Sequence, residues 1–167
     1  MFAAGASEVA ERPRLLNFIV RRAEGFGVAS WRRKVLTFFP DLRREAERPD
    51  FNVYSAFFEL LPRVREAHQA GDTESQRRIY GFAEWCFEQP SKELWNPAGV
   101  AFYEHLFDSH RSLWPEFVRW LSPWVVEGCW GLWECRLLAE EIAEVRHLLA
   151  ACRKPLYGQA RLNHSCT

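Results

Sequence analysis

The chain has 167 residues, 48% of them hydrophobic and 26% charged, the make-up of one globular domain rather than a disordered or fibrous chain. The formal net charge is zero, which excludes the basic excess of a dedicated nucleic-acid binder. No stretch reaches the roughly 18 apolar residues of a membrane span, and the start, MFAAGASEVAERPR, lacks the basic and apolar regions of a secretory signal.

The predicted elements are helices, because apolar residues recur at three and four positions and not at two. Residues 1–12 are read as a flexible N-terminus. A first helix spans about Pro13 to Ala23, with Leu16, Ile19, Val20 and Ala23 on one face, and Gly25 to Gly27 break it. A second begins near Ser30 and carries Trp31, Val35 and Phe38, and Pro40 opens a short third. The next covers about Asn52 to Ala70, with Phe57, Leu60, Leu61, Val64 and His68 in one stripe. Pro62 lies opposite and is expected to kink or restart it. His68 is read as packing at the edge of the core.

Gly71 ends that helix, and Asp72 or Thr73 caps one from Thr73 to about Glu88, aligning Ile79, Phe82, Ala83, Cys86 and Phe87. Asn96 and Pro97 are expected to start the following helix, which aligns Gly99, Phe102, Tyr103, Leu106 and Phe107. Glu104, His105 and Asp108 are predicted on its far side, so His105 reads as an exposed residue. Glu104 and His105 are adjacent and point about 100° apart, which prevents one from orienting the other. Pro115 and Pro123 open two more helices, the second capped by Ser122 and aligning Val126, Cys129, Trp130, Trp133 and Leu137. The last runs from about Ala139 to Cys152 with Ile142, Val145, Leu149 and Cys152 inward, and 153–167 is read as a flexible tail. The expectation is one all-α domain over 13–152: seven or eight amphipathic helices, paired as antiparallel hairpins around an aromatic core.

No set of residues carries a recognisable reaction. The chain has no Gly-rich phosphate loop, no G-x-S-x-G and no H-E-x-x-H. Glu144 and His147 make half of a di-metal carboxylate motif, but a second half is missing and both face away from the apolar stripe. Five cysteines, an odd number without paired spacing, read as free thiols of a reducing cytoplasm. Cys86, Cys129 and Cys152 fall on apolar stripes, and Cys135 has no base nearby in sequence. No catalytic residue, metal or cofactor is therefore assigned.

One surface stands out. On the helix opened by Pro123, the side away from the core carries Trp124, Gly128, Gly131 and Cys135, with Glu127 and Glu134 alongside. Small residues let another helix approach, and an exposed Trp is a typical interface anchor. The other reading, and the commoner case for such a face, is that another helix of the same domain covers it. Charge is also uneven. Residues 1–48 hold 10 basic and 6 acidic side chains, net +4, and residues 49–167 hold 12 and 16, net −4.

The segments IYGFAEWC and ELWNPAGVAFYEHLFD, followed by WLSP and CWGLWE, resemble a family of small, uncharacterised, all-helical bacterial proteins. The resemblance covers roughly Pro40 to Leu149. Similar proteins are found beside toxin genes as candidate immunity proteins, so it implies a cytoplasmic protein-binding protein with a partner such as a toxin. Trp124, Glu127, Gly131 and Glu134 are the candidate contact residues. The alternative is a small enzyme or ligand-binding bundle using its Trp-rich region as a pocket.

Overall fold

A computed structural model describes residues 29–108 and 110–152. The first predicted helix, Pro13 to Ala23, and both predicted flexible ends lie outside these residues. Among the described residues there are eight α-helices and no strand. They are α1 (Ala29–Phe38), α2 (Arg43–Ala46), α3 (Val53–Ala70), α4 (Thr73–Phe87), α5 (Lys92–Pro97), α6 (Trp114–Phe117), α7 (Pro123–Arg136) and α8 (Ala139–Cys152). Short 3-10 turns precede α2 and flank α6.

Local chemistry sets the boundaries. Asn52 caps α3 by accepting from the Ser55 amide, and Gly71 ends it at φ +66°, a left-handed position that suits glycine. Asp72 caps α4 through the Ser75 amide. Ser122 caps α7 through the Val125 amide, with Pro123 in the first turn. The helix does not restart at Pro62. The proline lies on an exposed side of α3, and the helix runs unbroken through it because the opposite face is anchored by Phe57, Leu60 and Val64.

The helix expected to begin at Asn96 begins instead at Lys92, with Ser91 at its cap position and Pro97 inside. It continues as a π-turn (Ala98–Phe102) and then a 3-10 turn (Tyr103–His105). Gly99, Phe102, Tyr103, Leu106 and Phe107 are buried as the periodicity requires.

α3 and α4 form an antiparallel hairpin, with Phe57 against Phe82, His68 against Tyr80, and the Gln76 side chain bonded to the Ala67 carbonyl. The segment from α5 to His105 runs back along α4, so that Tyr80 meets Phe102 and Phe87 meets Tyr103. Phe82 is a hub, touching Phe38, Phe39, Phe57 and Trp85. A second aromatic group joins Phe107 to Trp114, Phe117 and Trp133. Each fully buried ring contributes about 2–3 kcal/mol by leaving water, so this core is the main source of stability. Several predicted core residues sit otherwise: Phe38, Leu61, Phe87, Leu137 and Ile142 are only partly buried against the core. Trp130 is half-buried, and Cys152 is exposed because α8 turns in only Val145 and Leu149 as buried residues.

Candidate docking face

α7 buries Val125, Val126, Cys129 and Trp133 against the core. Trp133 is fixed there by its indole N–H, which donates to the Tyr103 carbonyl at 2.9 Å. That anchoring turns Trp124, Glu127, Gly131 and Glu134 outward, and all four are exposed. No other described helix covers them. Trp124 leaves 42% of its surface in solvent and lies edge-on to Phe87, ring centres 6.5 Å apart.

The two glycines of this face differ. A Cβ at Gly128 would meet Phe87 Cζ at 2.7 Å, so Gly128 seats the Phe87 ring within the fold. A Cβ at Gly131 would meet nothing within 4 Å. The acids differ too. Glu127 makes no hydrogen bond or ion pair among the described residues. Glu134 accepts from the Trp130 indole at 2.6 Å and lies 4.0 Å from Arg146, whose guanidinium sits over the Trp130 ring. Of the sequence-selected residues, Trp124, Glu127 and Gly131 therefore present free surface, and Glu134 belongs partly to an internal Arg–Trp–Glu cluster.

A polar cluster missed from the sequence lies at the 3-10 turn. His105 donates from Nδ1 to Asp108 at 2.6 Å, and Arg136 grips Asp108 with two bonds of 2.6 and 2.8 Å. Arg136 also reaches Glu104 at 3.4 Å, and Arg65 donates to the His105 carbonyl at 3.0 Å. Partial burial pushes the Asp108 carboxyl up, but the bonds from Arg136 and His105 outweigh it and hold it below its ordinary value. His105 is thus half-buried rather than exposed. The i, i+3 spacing of His105 and Asp108 is the signal of this pair in the sequence, which the adjacent Glu104 does not carry. The cluster ties the turn to α7 and α3.

Two clefts open along α8. One, of about 500 Å³, is lined by Pro115, Val118, Leu121, Leu148 and Cys152 among others, and one of about 450 Å³ by Val126, Trp130, Arg146, Leu149 and Ala150. Neither contains the His105 cluster, and only Trp130 of the eight tryptophans lines either. Burial pushes the Cys129 thiol up to about 12 and raises that of Cys86 further, so both stay protonated. Among the described residues no group of three or more His, Cys, Asp or Glu is placed to hold a metal ion, and no helix is long and apolar enough to cross a membrane. Glu144 pairs instead with Arg111.

A family model described as Domain of unknown function (DUF7674) matches residues 32–129, and the chain belongs to that family. No curated protein and no solved structure matches the chain. The matched residues run from α1 into α7, and so include Trp124 and Glu127 but not Gly131 or Glu134.

Proposed function

We propose that this member of the DUF7674 family is a non-enzymatic protein-binding protein that works by covering a basic surface of a protein partner, as a bacterial immunity protein covers its toxin. The observation that carries the reading is the outer face of α7. Trp124 is a large apolar ring held in water, beside a free carboxylate at Glu127 and an open position at Gly131. Tryptophan is enriched among the residues that anchor protein interfaces, which supports this reading of the exposed Trp124. The acidic balance of residues 49–167 (12 basic against 16 acidic, net −4) suits a partner with a basic site and speeds encounter with it.

The test starts from the native host. The chain recovers its partner, the affinity is measured against salt, and the measurement is repeated with Glu127→Lys and with Glu127→Lys/Glu134→Lys. Binding weakens by about tenfold or more, with a shallower salt dependence, and Glu127→Lys accounts for most of the loss. Unchanged affinity and salt dependence remove this face as the site. Turnover of a small molecule by the purified chain, with no partner present, replaces the reading with that of a small helical enzyme.

A further inference from the structure

The first turns of α3 carry an apolar patch that faces away from the core. Tyr54 and Phe58, one turn apart, keep 39% and 61% of their surface in solvent. Leu61 is half-buried at the edge of the patch, and Pro62, one turn beyond Phe58, is exposed. At the helical repeat these four fall within about 100° of the circumference. On one side α5 adjoins them, where Asn96 donates to Tyr54 Oη at 2.6 Å. On the other flank stand Glu59 and Glu66, both exposed and without a hydrogen bond or ion pair among the described residues. Arg63 lies beyond them on that flank and pairs with Asp41, in the turn that follows α1.

The start of α1 is tied to the residues that lead into α3. Trp31 stacks on Phe51 with ring centres 5.9 Å apart, and Arg32 donates to the carbonyls of Ala46, Arg48 and Phe51. Phe58 follows Phe51 by seven residues, most of them helical, and so lies within about 14 Å of it. Residues 24–28, EGFGV, precede α1 and can span about 17 Å. Ahead of them, residues 13–23 place Leu16, Ile19, Val20 and Ala23 at helical spacing, and Arg12, Arg14, Arg21 and Arg22 surround this stripe in the sequence.

We propose that residues 13–23 of the same chain cover the α3 patch, with Leu16, Ile19 and Val20 against Tyr54 and Phe58 and the arginines toward Glu59 and Glu66. Each side supplies what the other lacks. An amphipathic stretch of this length is marginal as a helix in water and gains stability only by packing its apolar face. The patch is an exposed apolar surface bordered by two unpaired carboxylates. The tether decides between occupants. A short linker holds the segment at an effective concentration in the millimolar range, above that of a second copy at ordinary protein concentrations. The patch is on α3, apart from the α7 face, so the proposal does not depend on the protein-binding reading.

The experiment uses the full chain at micromolar concentration, with Phe58→benzoylphenylalanine as a photo-crosslinker at the centre of the patch. Irradiation joins position 58 to residues 13–23 within one chain, as read by mass spectrometry. A crosslink between two chains assigns the face to a second copy, and the absence of any crosslink to residues 13–23 leaves it to a different occupant; either result overturns the proposal. Amide hydrogen exchange checks the chain without the crosslinker. The amides of residues 16–23 exchange slowly in the parent and about tenfold or more faster in Phe58→Glu and in Ile19→Glu. Glu59→Lys speeds them about 2- to 5-fold, the size of a surface charge pair. The near-ultraviolet circular dichroism of the aromatic core stays as in the parent, since Phe58 lies outside it. Fast exchange of residues 16–23 in the parent, or unchanged rates in Phe58→Glu, overturns the proposal.

Discussion

His68 and Tyr80 meet between α3 and α4, Nε2 to Oη at 3.1 Å, with the Phe117 ring edge-on to the imidazole at 4.8 Å. Burial lowers the His68 pKa below its ordinary 6.5, against a raising influence from Glu116. A group whose folded value is depressed stabilises the fold fully above the unfolded value and loses that contribution as pH falls through the folded one. Urea unfolding midpoints therefore drop between about pH 7.5 and about pH 5.5, and His68→Gln, which can still bond Tyr80, flattens the slope. Parallel slopes would sink the assignment.

Trp133→Phe tests the joint between α7 and the turn at Tyr103. The variant loses the indole N–H and leaves the buried Tyr103 carbonyl without that donor. It also opens space beside Phe107. The expected cost is about 2–4 kcal/mol in denaturant unfolding.

Phe102→Ala and Trp130→Ala separate the core from its margin. Phe102 is fully buried against Phe57, Tyr80 and Tyr103, so its truncation costs about 3–5 kcal/mol. Trp130 is half-buried beside Glu134 and Arg146, and its truncation costs about 1–2 kcal/mol. Equal losses would mean Trp130 is a core residue after all.

Gly128→Ala and Gly131→Ala differ in sign. At Gly128 the new methyl collides with Phe87 and forces the ring aside, a cost of about 1–3 kcal/mol. At Gly131 there is open space within a helix, so alanine stabilises by about 0.5–1 kcal/mol. Thermal unfolding of the two variants checks both directions.

Much of the fold was legible because α3, α4 and α7 carry their own punctuation: Asn52, Gly71, Asp72, Ser122 and Pro123 all act where their chemistry places them. The buried set around Phe102 was also legible, although the backbone there is not a regular α-helix. The π-turn underwinds and the 3-10 turn overwinds, and the two offset one another, so a uniform period still lands on Phe102 and Phe107. What periodicity could not reveal depends on distant partners. Arg136 comes from 28 residues away to hold Asp108, and Gly128 is small because of Phe87 rather than an outside helix. The exposed Trp124, Glu127 and Gly131 followed from helical phase.

The sparse attachment of α8 has a kinetic consequence. Only two of its side chains, Val145 and Leu149, are buried; Ile142 and Leu148 pack partly against the core, the Arg111–Glu144 pair and Arg146 against Trp130 and Glu134 add contacts at the surface, and its residues line two clefts. It lies beyond residues 32–129, and its release leaves the Phe82 and Phe102 hub intact. Such an element opens on its own at a free energy below that of global unfolding. Its amides then exchange with solvent deuterium ahead of those in α3 and α4, and a protease cuts near Leu138 while the remainder of the chain stays folded.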